Sequence, residues 1–296
     1  MQVKIAAALG YGPDDAARVA PLVIITTTGD RVQDRRLLEI GGKALFTKEI
    51  EEALIAGAID CAVHSMKDVP IDRQPGLVLA AIPEREDPRD AFLSPRYACL
   101  TDLPQGARLG TASLRRQTQA LFVRPDLEVV LVRGNVDTRL AKLEAGEADA
   151  MLLALAGLKR LGLDGAVRDR LDPVAAPPAP GQGALAIETP ARNAEADWVQ
   201  ALRHEPTTLA VAAERGALEA LEGSCRTAIG AHARVEGRVL SLVVEALTPD
   251  GRERFRREAE VTLGDDAEAG ARALGERLGE AIRAEGGERL MLPESV

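Results

Sequence analysis

Residues 107–155 read ARLGTASLRRQTQALFVRPDLEVVLVRGNVDTRLAKLEAGEADAMLLAL, and their apolar residues alternate between two spacings. Ala107–Gly110, Leu127–Val132 and Ala148–Leu155 are short apolar runs of strand length, whereas Leu114–Val123 and Val136–Ala145 place apolar residues at helical intervals. That order, strand-helix-strand-helix-strand, predicts an α/β domain built on a parallel sheet with right-handed crossovers. In such a sheet the loops leaving the carboxyl ends of the strands open into one crevice.

Toward the N-terminus, Leu22–Ile25 is a β-branched run that reads as a strand. Glu49–Ala58 carries Ile50, Ala53, Leu54 and Gly57 at helical spacing, and Ile59–Val63 and Leu77–Ile82 read as further strands. These segments predict a first α/β domain over 1–86, completed by 184–203. Glu84-Arg85-Glu86-Asp87-Pro88-Arg89-Asp90 has the composition of a hinge into a second domain, 87–183, which closes at the Pro/Gly-rich PVAAPPAPGQG (173–183). Beyond it, Thr208–Glu222 is a helix stopped by Gly223, and Arg238–Ala246 and Glu258–Leu263 are strands around the turn Pro249-Asp250-Gly251. With an amphipathic helix over Asp265–Glu285, this predicts an α+β domain over 204–296.

Composition narrows the function. A net charge of −9 argues against a general nucleic-acid binder, and 2% aromatic residues leave no stacking platform for single strands. No apolar stretch approaches the ~20 residues of a membrane span. QVKIAAALGYGPDD (2–15) is a poor secretory signal, so the cytoplasm is expected. Cys61, Cys99 and Cys225 are far apart, and His64, His204 and His232 stand near none of them at metal-ligand spacing, so no metal is expected.

The chemistry is carried by three polar loops after predicted strands: HSMKDVP (64–70), GTASLRR (110–116) and RGNVDTR (133–139). In the second, Ser113 is a helix N-cap, so free backbone N–H groups, hydroxyls and the guanidiniums of Arg115 and Arg116 converge. With Arg133 and Arg139 at the adjacent strand end, the four arginines form a site for several carboxylates, against the alternative of a solvated helix face. Asp68 is either a turn former or, beside Lys67, a counter-ion and proton acceptor for a cationic intermediate. His64 reads as a packed strand-end histidine, because no nucleophile at oxyanion-hole spacing accompanies it. Gly41-Gly42-Lys43 lacks the spacing of a phosphate loop. Cys225, on the glycine-softened Gly223-Ser224-Cys225, is open between a functional thiol and a bland one; Cys61, in an apolar run, is expected to be buried.

HSMKDVP (64–70), EREDPRDAF (84–92), GTASLRRQ (110–117), VRGNVDTR (132–139) and GQGALAIE (181–188) together resemble the porphobilinogen deaminase (hydroxymethylbilane synthase) family. The resemblance implies two α/β domains related to periplasmic binding proteins plus a C-terminal α+β domain carrying a dipyrromethane cofactor as a thioether on Cys225. It implies a cytoplasmic monomer of tetrapyrrole and heme biosynthesis that condenses four porphobilinogen molecules head to tail and releases ammonia. Asp68 is implied as the catalytic carboxylate that stabilises each cationic azafulvene. Ser65, Lys67, Asp68, Thr111, Ser113, Arg115 and Arg116 are implied to bind the cofactor, and Lys43, Arg133, Arg139 and Arg160 the substrate or chain carboxylates.

Two departures stand out. Nothing before Leu22 resembles the R-x-G-T-R-x-S-x-L-A motif with which the family opens, so the chain is expected to lack the family's first strand. Ala44 stands at the third glycine of GGKGLF. The alternatives are a non-catalytic two-lobed anion-binding module and an inactive truncated copy of the enzyme.

Overall fold

The computed structural model describes residues 1–27, 47–222 and 227–292, which fall into two compact units. Residues 1–27, 47–85 and 184–208 form the first; 86–183, 209–222 and 227–292 form the second.

In chain order the first segment contains helices α1 (Gln2–Ala8), α2 (Ala16–Val19) and α3 (Lys48–Ile55), then strands β1 (Ala62–Ser65) and β2 (Leu77–Ala81). The next contains β3 (Asp90–Leu93), β4 (Arg108–Gly110), α4 (Leu114–Val123), β5 (Glu128–Val130), α5 (Val136–Glu144), β6 (Ala150–Ala154), α6 (Leu155–Arg160) and β7 (Asp169–Arg170). After the Pro/Gly-rich crossing come β8 (Leu185–Pro190), α7 (Asp197–Gln200) and α8 (Glu205–Ala220). β9 (Ala228–Glu236), β10 (Val239–Leu247), β11 (Arg254–Thr262) and α9 (Ala267–Gly286) follow.

The first unit holds a sheet of order β1-β8-β2, with β8 antiparallel to both neighbours. One core gathers Ile5, Ala80, Ala81, Ile187, Val199 and Leu202; another gathers Leu54, Ala62 and Leu77. The strand expected at Leu22–Ile25 is not formed. The segment is extended, Leu22, Val23 and Ile24 are exposed, and no strand pairs with it among the described residues, so β propensity had no ladder to join. The strand read at Ile59–Val63 lies further on, over Ala62–Ser65.

The second unit holds two sheets. The five-stranded one has order β5-β4-β6-β3-β7. Its β5-β4-β6 part is parallel as expected, but β3 and β7 join it antiparallel, so the sheet is mixed rather than parallel. β3 begins at Asp90, the last residue of the segment read as a hinge. Its strands are buried on both faces: Ala91, Leu93, Met151 and Leu153 enter one cluster and Phe92, Ala150 and Leu152 the other, the pattern of a sheet covered on both sides. The other sheet is the antiparallel meander β9-β10-β11, whose Leu240, Leu242, Val244 and Ala246 pack with α8 and α9 residues such as Ala213, Ala217, Leu274 and Ile282. β9 was not read from the sequence.

Gly183 ends the crossing at φ +86°, and a Cβ there would collide with the Glu86 carbonyl oxygen, whose own amide N–H donates to the Gly183 carbonyl at 3.1 Å. No described helix is long and apolar enough to cross a membrane.

Candidate functional site

β4 runs out at Gly110-Thr111, and the chain turns at once into α4. The Thr111 amide N–H donates to the Val130 carbonyl at 3.0 Å, holding the turn beside β5. Thr111 Oγ1 accepts the Ser113 amide N–H at 3.1 Å, and Ser113 Oγ accepts the Arg116 amide N–H at 3.4 Å, the N-cap read from the sequence. The cap fixes where the helix starts and therefore where Arg115 and Arg116 leave it.

Both arginines point inward. Arg115 is 5% exposed and Arg116 6%, and they clasp Asp90, at the start of β3 and 1% exposed. Arg115 Nη1 donates to Asp90 Oδ2 at 2.7 Å; Arg116 Nε and Nη2 donate to Oδ1 at 3.0 and 2.8 Å. Arg116 also donates to the Leu152 carbonyl, and Gln182 Nε2 adds a donor to Asp90 Oδ1 at 2.9 Å. Burial alone would push the Asp90 acid up, but the two guanidiniums outweigh it and hold the carboxyl well below the usual carboxylate range. Arg115 Nε is a buried donor without a hydrogen-bond partner.

The arginines after β5 are placed differently. Asn135 Oδ1 caps α5 by accepting the Thr138 amide N–H at 2.9 Å, and Gly134 supplies a φ of +121° before it. Arg133 and Arg139 are half-buried, and Arg139 Nε donates to the Gly134 carbonyl at 2.8 Å. Burial, then Arg116 and Arg133, lower the Arg139 pKa, so Arg139 feels both neighbouring charges. Neither Arg133 nor Arg139 has a carboxylate partner among the described residues, and Arg133 Nη1 is buried without a hydrogen bond. Arg115 and Arg116 thus share the carboxylate of Asp90, while Arg139 lies within reach of the Arg116 and Arg133 charges with no carboxylate of its own among the described residues, a site that accepts anions.

In the first unit, β1 ends at the half-buried Ser65 and passes into a tight turn, Met66–Asp68. Met66 is fully buried and its amide N–H donates to the Ala184 carbonyl at 3.0 Å, which pins the turn and leaves Lys67 and Asp68 exposed. The surrounding protein raises the Asp68 pKa, while Lys67 and His64 pull it down. His64 is the packed strand-end histidine the sequence suggested: it is 7% exposed, with Nε2 3.0 Å from Oε2 of Glu188, itself 2% exposed.

Arg160 stands exposed in the last turn of α6 with no ion pair among the described residues. Lys43 and Cys225 lie outside the described residues. Cys61, expected to be buried, is partly exposed just before β1, and burial and Asp60 raise its thiol pKa. Sequence reading missed Asp90 and Gln182, which hold the arginines of the second unit, and Glu188, which pairs with His64 in the first; each lies inside a quoted motif, but its partner is distant in the chain. Among the described residues no three His, Cys, Asp or Glu side chains are grouped to hold a metal ion.

Two family models match the chain. One, described as porphobilinogen deaminase, dipyromethane cofactor binding domain, spans residues 3–197; the other, porphobilinogen deaminase, C-terminal domain, spans 208–284. The porphobilinogen deaminases of Caulobacter sp. (strain K31) and Caulobacter vibrioides (strain NA1000 / CB15N) are 68% and 66% identical to it, each over 99% of this chain and 93% of theirs. Among solved structures, a putative methionine-binding lipoprotein from Bacillus subtilis aligns over 52% of this chain and 73% of its own, at 16% identity and a TM-score of 0.35.

Proposed function

This chain belongs to the porphobilinogen deaminase family, and from that membership we propose that it condenses four porphobilinogen molecules head to tail into hydroxymethylbilane, releasing ammonia. The observation that carries the reading is the excess of arginine over carboxylate around Arg116, Arg133 and Arg139. Porphobilinogen bears an acetate and a propionate on each ring, so a growing chain brings the negative charge that the protein leaves out.

A dipyrromethane group fits the residues present, because the buried Arg115 Nε and Arg133 Nη1 are donors without acceptors, and a multiply charged carboxylate ligand supplies acceptors. Bound through the Cys225 sulfur, that group supplies the pyrrole to which the first substrate is joined. Thr111, Ser113, Arg115 and Arg116 hold its carboxylates, with Ser65 and Lys67 as further polar contacts. Arg133, Arg139, Arg160 and Lys43 take the carboxylates of the substrate and of the lengthening chain. Asp68 accepts hydrogen bonds from the substrate's pyrrole N–H, offsets the positive charge left when the aminomethyl group loses ammonia, and holds the proton released when the ring regains aromaticity. Functionally we divide the chain into 1–86 with 184–203, 87–183 and 204–296, and we place it in the cytoplasm as a monomer.

Intact and peptide mass spectrometry tests the reading. Purified wild-type protein is expected to carry a dipyrromethane mass on the Cys225 peptide; Cys225→Ser is expected to fold, carry no adduct and release no ammonia from porphobilinogen. Folded wild-type protein with an unmodified Cys225 would overturn the enzyme reading in favour of a binding module.

A further inference from the structure

The meander of the second unit buries both faces of β10. Leu240, Leu242, Val244 and Ala246 face the helices α8 and α9, and the alternate residues Val243, Glu245 and Leu247 are also buried, at 5%, 1% and 0% exposure. α4 and the crossing before β8 pack on this meander: a Cβ at Gly230 of β9 would strike the Pro177 carbonyl oxygen, and one at Gly251 would lie 2.8 Å from the Thr118 carbonyl oxygen. A carboxylate at the centre of such a face is costly, and an apolar side chain would serve as well for packing. Glu245 therefore needs an explanation beyond packing.

Its partners supply one. Gln119 of α4 donates from Nε2 to Glu245 Oε1 at 2.7 Å and to the Pro177 carbonyl at 2.8 Å, and Arg256 donates to Glu245 Oε2 at 3.4 Å. With its N–H groups engaged on that side, the Gln119 amide must turn its Oε1 toward Arg115, whose Nη1 donates to it at 2.8 Å. A flipped amide would set N–H against guanidinium. The same Nη1 is shared with Asp90 and the Pro177 carbonyl. The Arg115 guanidinium is thereby fixed at one end, and its buried Nε–H is the donor left without a partner.

We propose that Glu245 is a positioning residue for the anion site: acting through Gln119, it holds Arg115 so that the free Nε–H meets a carboxylate of the bound pyrrole chain. The inference rests on the porphobilinogen deaminase reading and adds that the C-terminal meander helps to shape the site that captures the cofactor.

The test is the rate at which apoprotein, supplied with porphobilinogen, gains covalent mass. Glu245→Leu takes the carboxylate away from Gln119 and Arg256, so some loss of thermal midpoint is expected, and the folded variant is expected to load about tenfold more slowly, equivalent to ~1.4 kcal/mol. Glu245→Gln keeps an acceptor and is expected to recover most of the rate; it also stands in should the leucine variant fail to fold. Arg115→Lys, which lacks Nε–H, is expected to load slowly too, and adding Glu245→Leu to it to slow it no further, as for residues acting through one group. Wild-type loading by Glu245→Leu overturns the proposal, as does additive slowing in the double variant. Wild-type apoprotein that never gains mass defeats the enzyme reading itself, a result distinct from either.

Discussion

Two pairs of arginines stand at neighbouring strand ends of one sheet, and the protein treats them in opposite ways. Arg115 and Arg116 are buried and given a carboxylate of their own, Asp90. Arg133 and Arg139 are half-buried, Arg139 feels the charges of Arg116 and Arg133, and neither has a carboxylate among the described residues. Buried charge is tolerated only when paired, so the first pair is part of the fold as well as of the site. The second pair is left to a ligand, and its mutual repulsion falls when that ligand binds. The same residue type thus marks stability at one strand end and recognition at the next.

The largest break in this comparison comes from Asp90→Asn, which keeps the shape and removes the charge that two buried guanidiniums share. Loss of one partner from a buried pair costs ~3–5 kcal/mol, and urea denaturation at neutral pH is expected to show a loss of that size, with cofactor attachment abolished. The sign with pH follows from the lowered Asp90 pKa: its stabilisation is complete above the ordinary carboxylate range and fades as pH falls toward the folded value. The gap between wild type and variant is therefore expected to narrow on acidification. A loss under ~1 kcal/mol, the value of an exposed pair, would falsify the view that Asp90 anchors the site.

Arg139→Gln should show the opposite pattern. Removing one of three crowded cations leaves stability unchanged or slightly higher, by a few tenths of a kcal/mol as for like-charge pairs elsewhere. The KM for porphobilinogen is expected to rise about tenfold, since a hydrogen bond to a charged group contributes ~1.5–3 kcal/mol. Salt should weaken wild-type binding more than that of the variant. An Arg139→Gln protein that is clearly destabilised and keeps its KM would erase the distinction between the two pairs.

Local signals were legible in the sequence where local physics decides. Ser113 as an N-cap, α4 and α5, the parallel β4-β5-β6 core and the Pro249-Asp250-Gly251 turn all follow from spacing and turn chemistry. What was hidden depends on partners far along the chain. Asp90 read as one more charge in a hinge because the guanidiniums that bury it lie 25 and 26 residues on. Glu188 and Glu245 sit in strands where alternation predicts an exposed or apolar residue, and only the folded neighbours His64 and Gln119 account for them. Leu22–Ile25 had the propensity of a strand, yet a strand exists only beside another. The four arginines looked alike for the same reason: sequence gives the cation, and the fold decides whether it meets a carboxylate.

Asp68 extends the comparison to the opposite charge, with the smallest expected effect. It is an exposed carboxylate set between forces: surrounding protein raises its pKa, and Lys67 and His64 lower it. A raised pKa means that the base form, which must pair with pyrrole N–H, is reached only at a higher pH than for an ordinary Asp. Removing a lowering neighbour moves that threshold further up. Lys67→Gln is accordingly expected to shift the acid limb of the kcat/KM profile upward by about half a pH unit, the scale of an exposed charge pair worth under ~1 kcal/mol. The midpoint is the readout, because any loss of a polar contact at Lys67 lowers the amplitude and leaves the midpoint alone. Asp68→Asn should remove the limb together with turnover. A limb that stays in place or moves down in Lys67→Gln would assign it to another group and leave Asp68 the turn former that its loop position also permits.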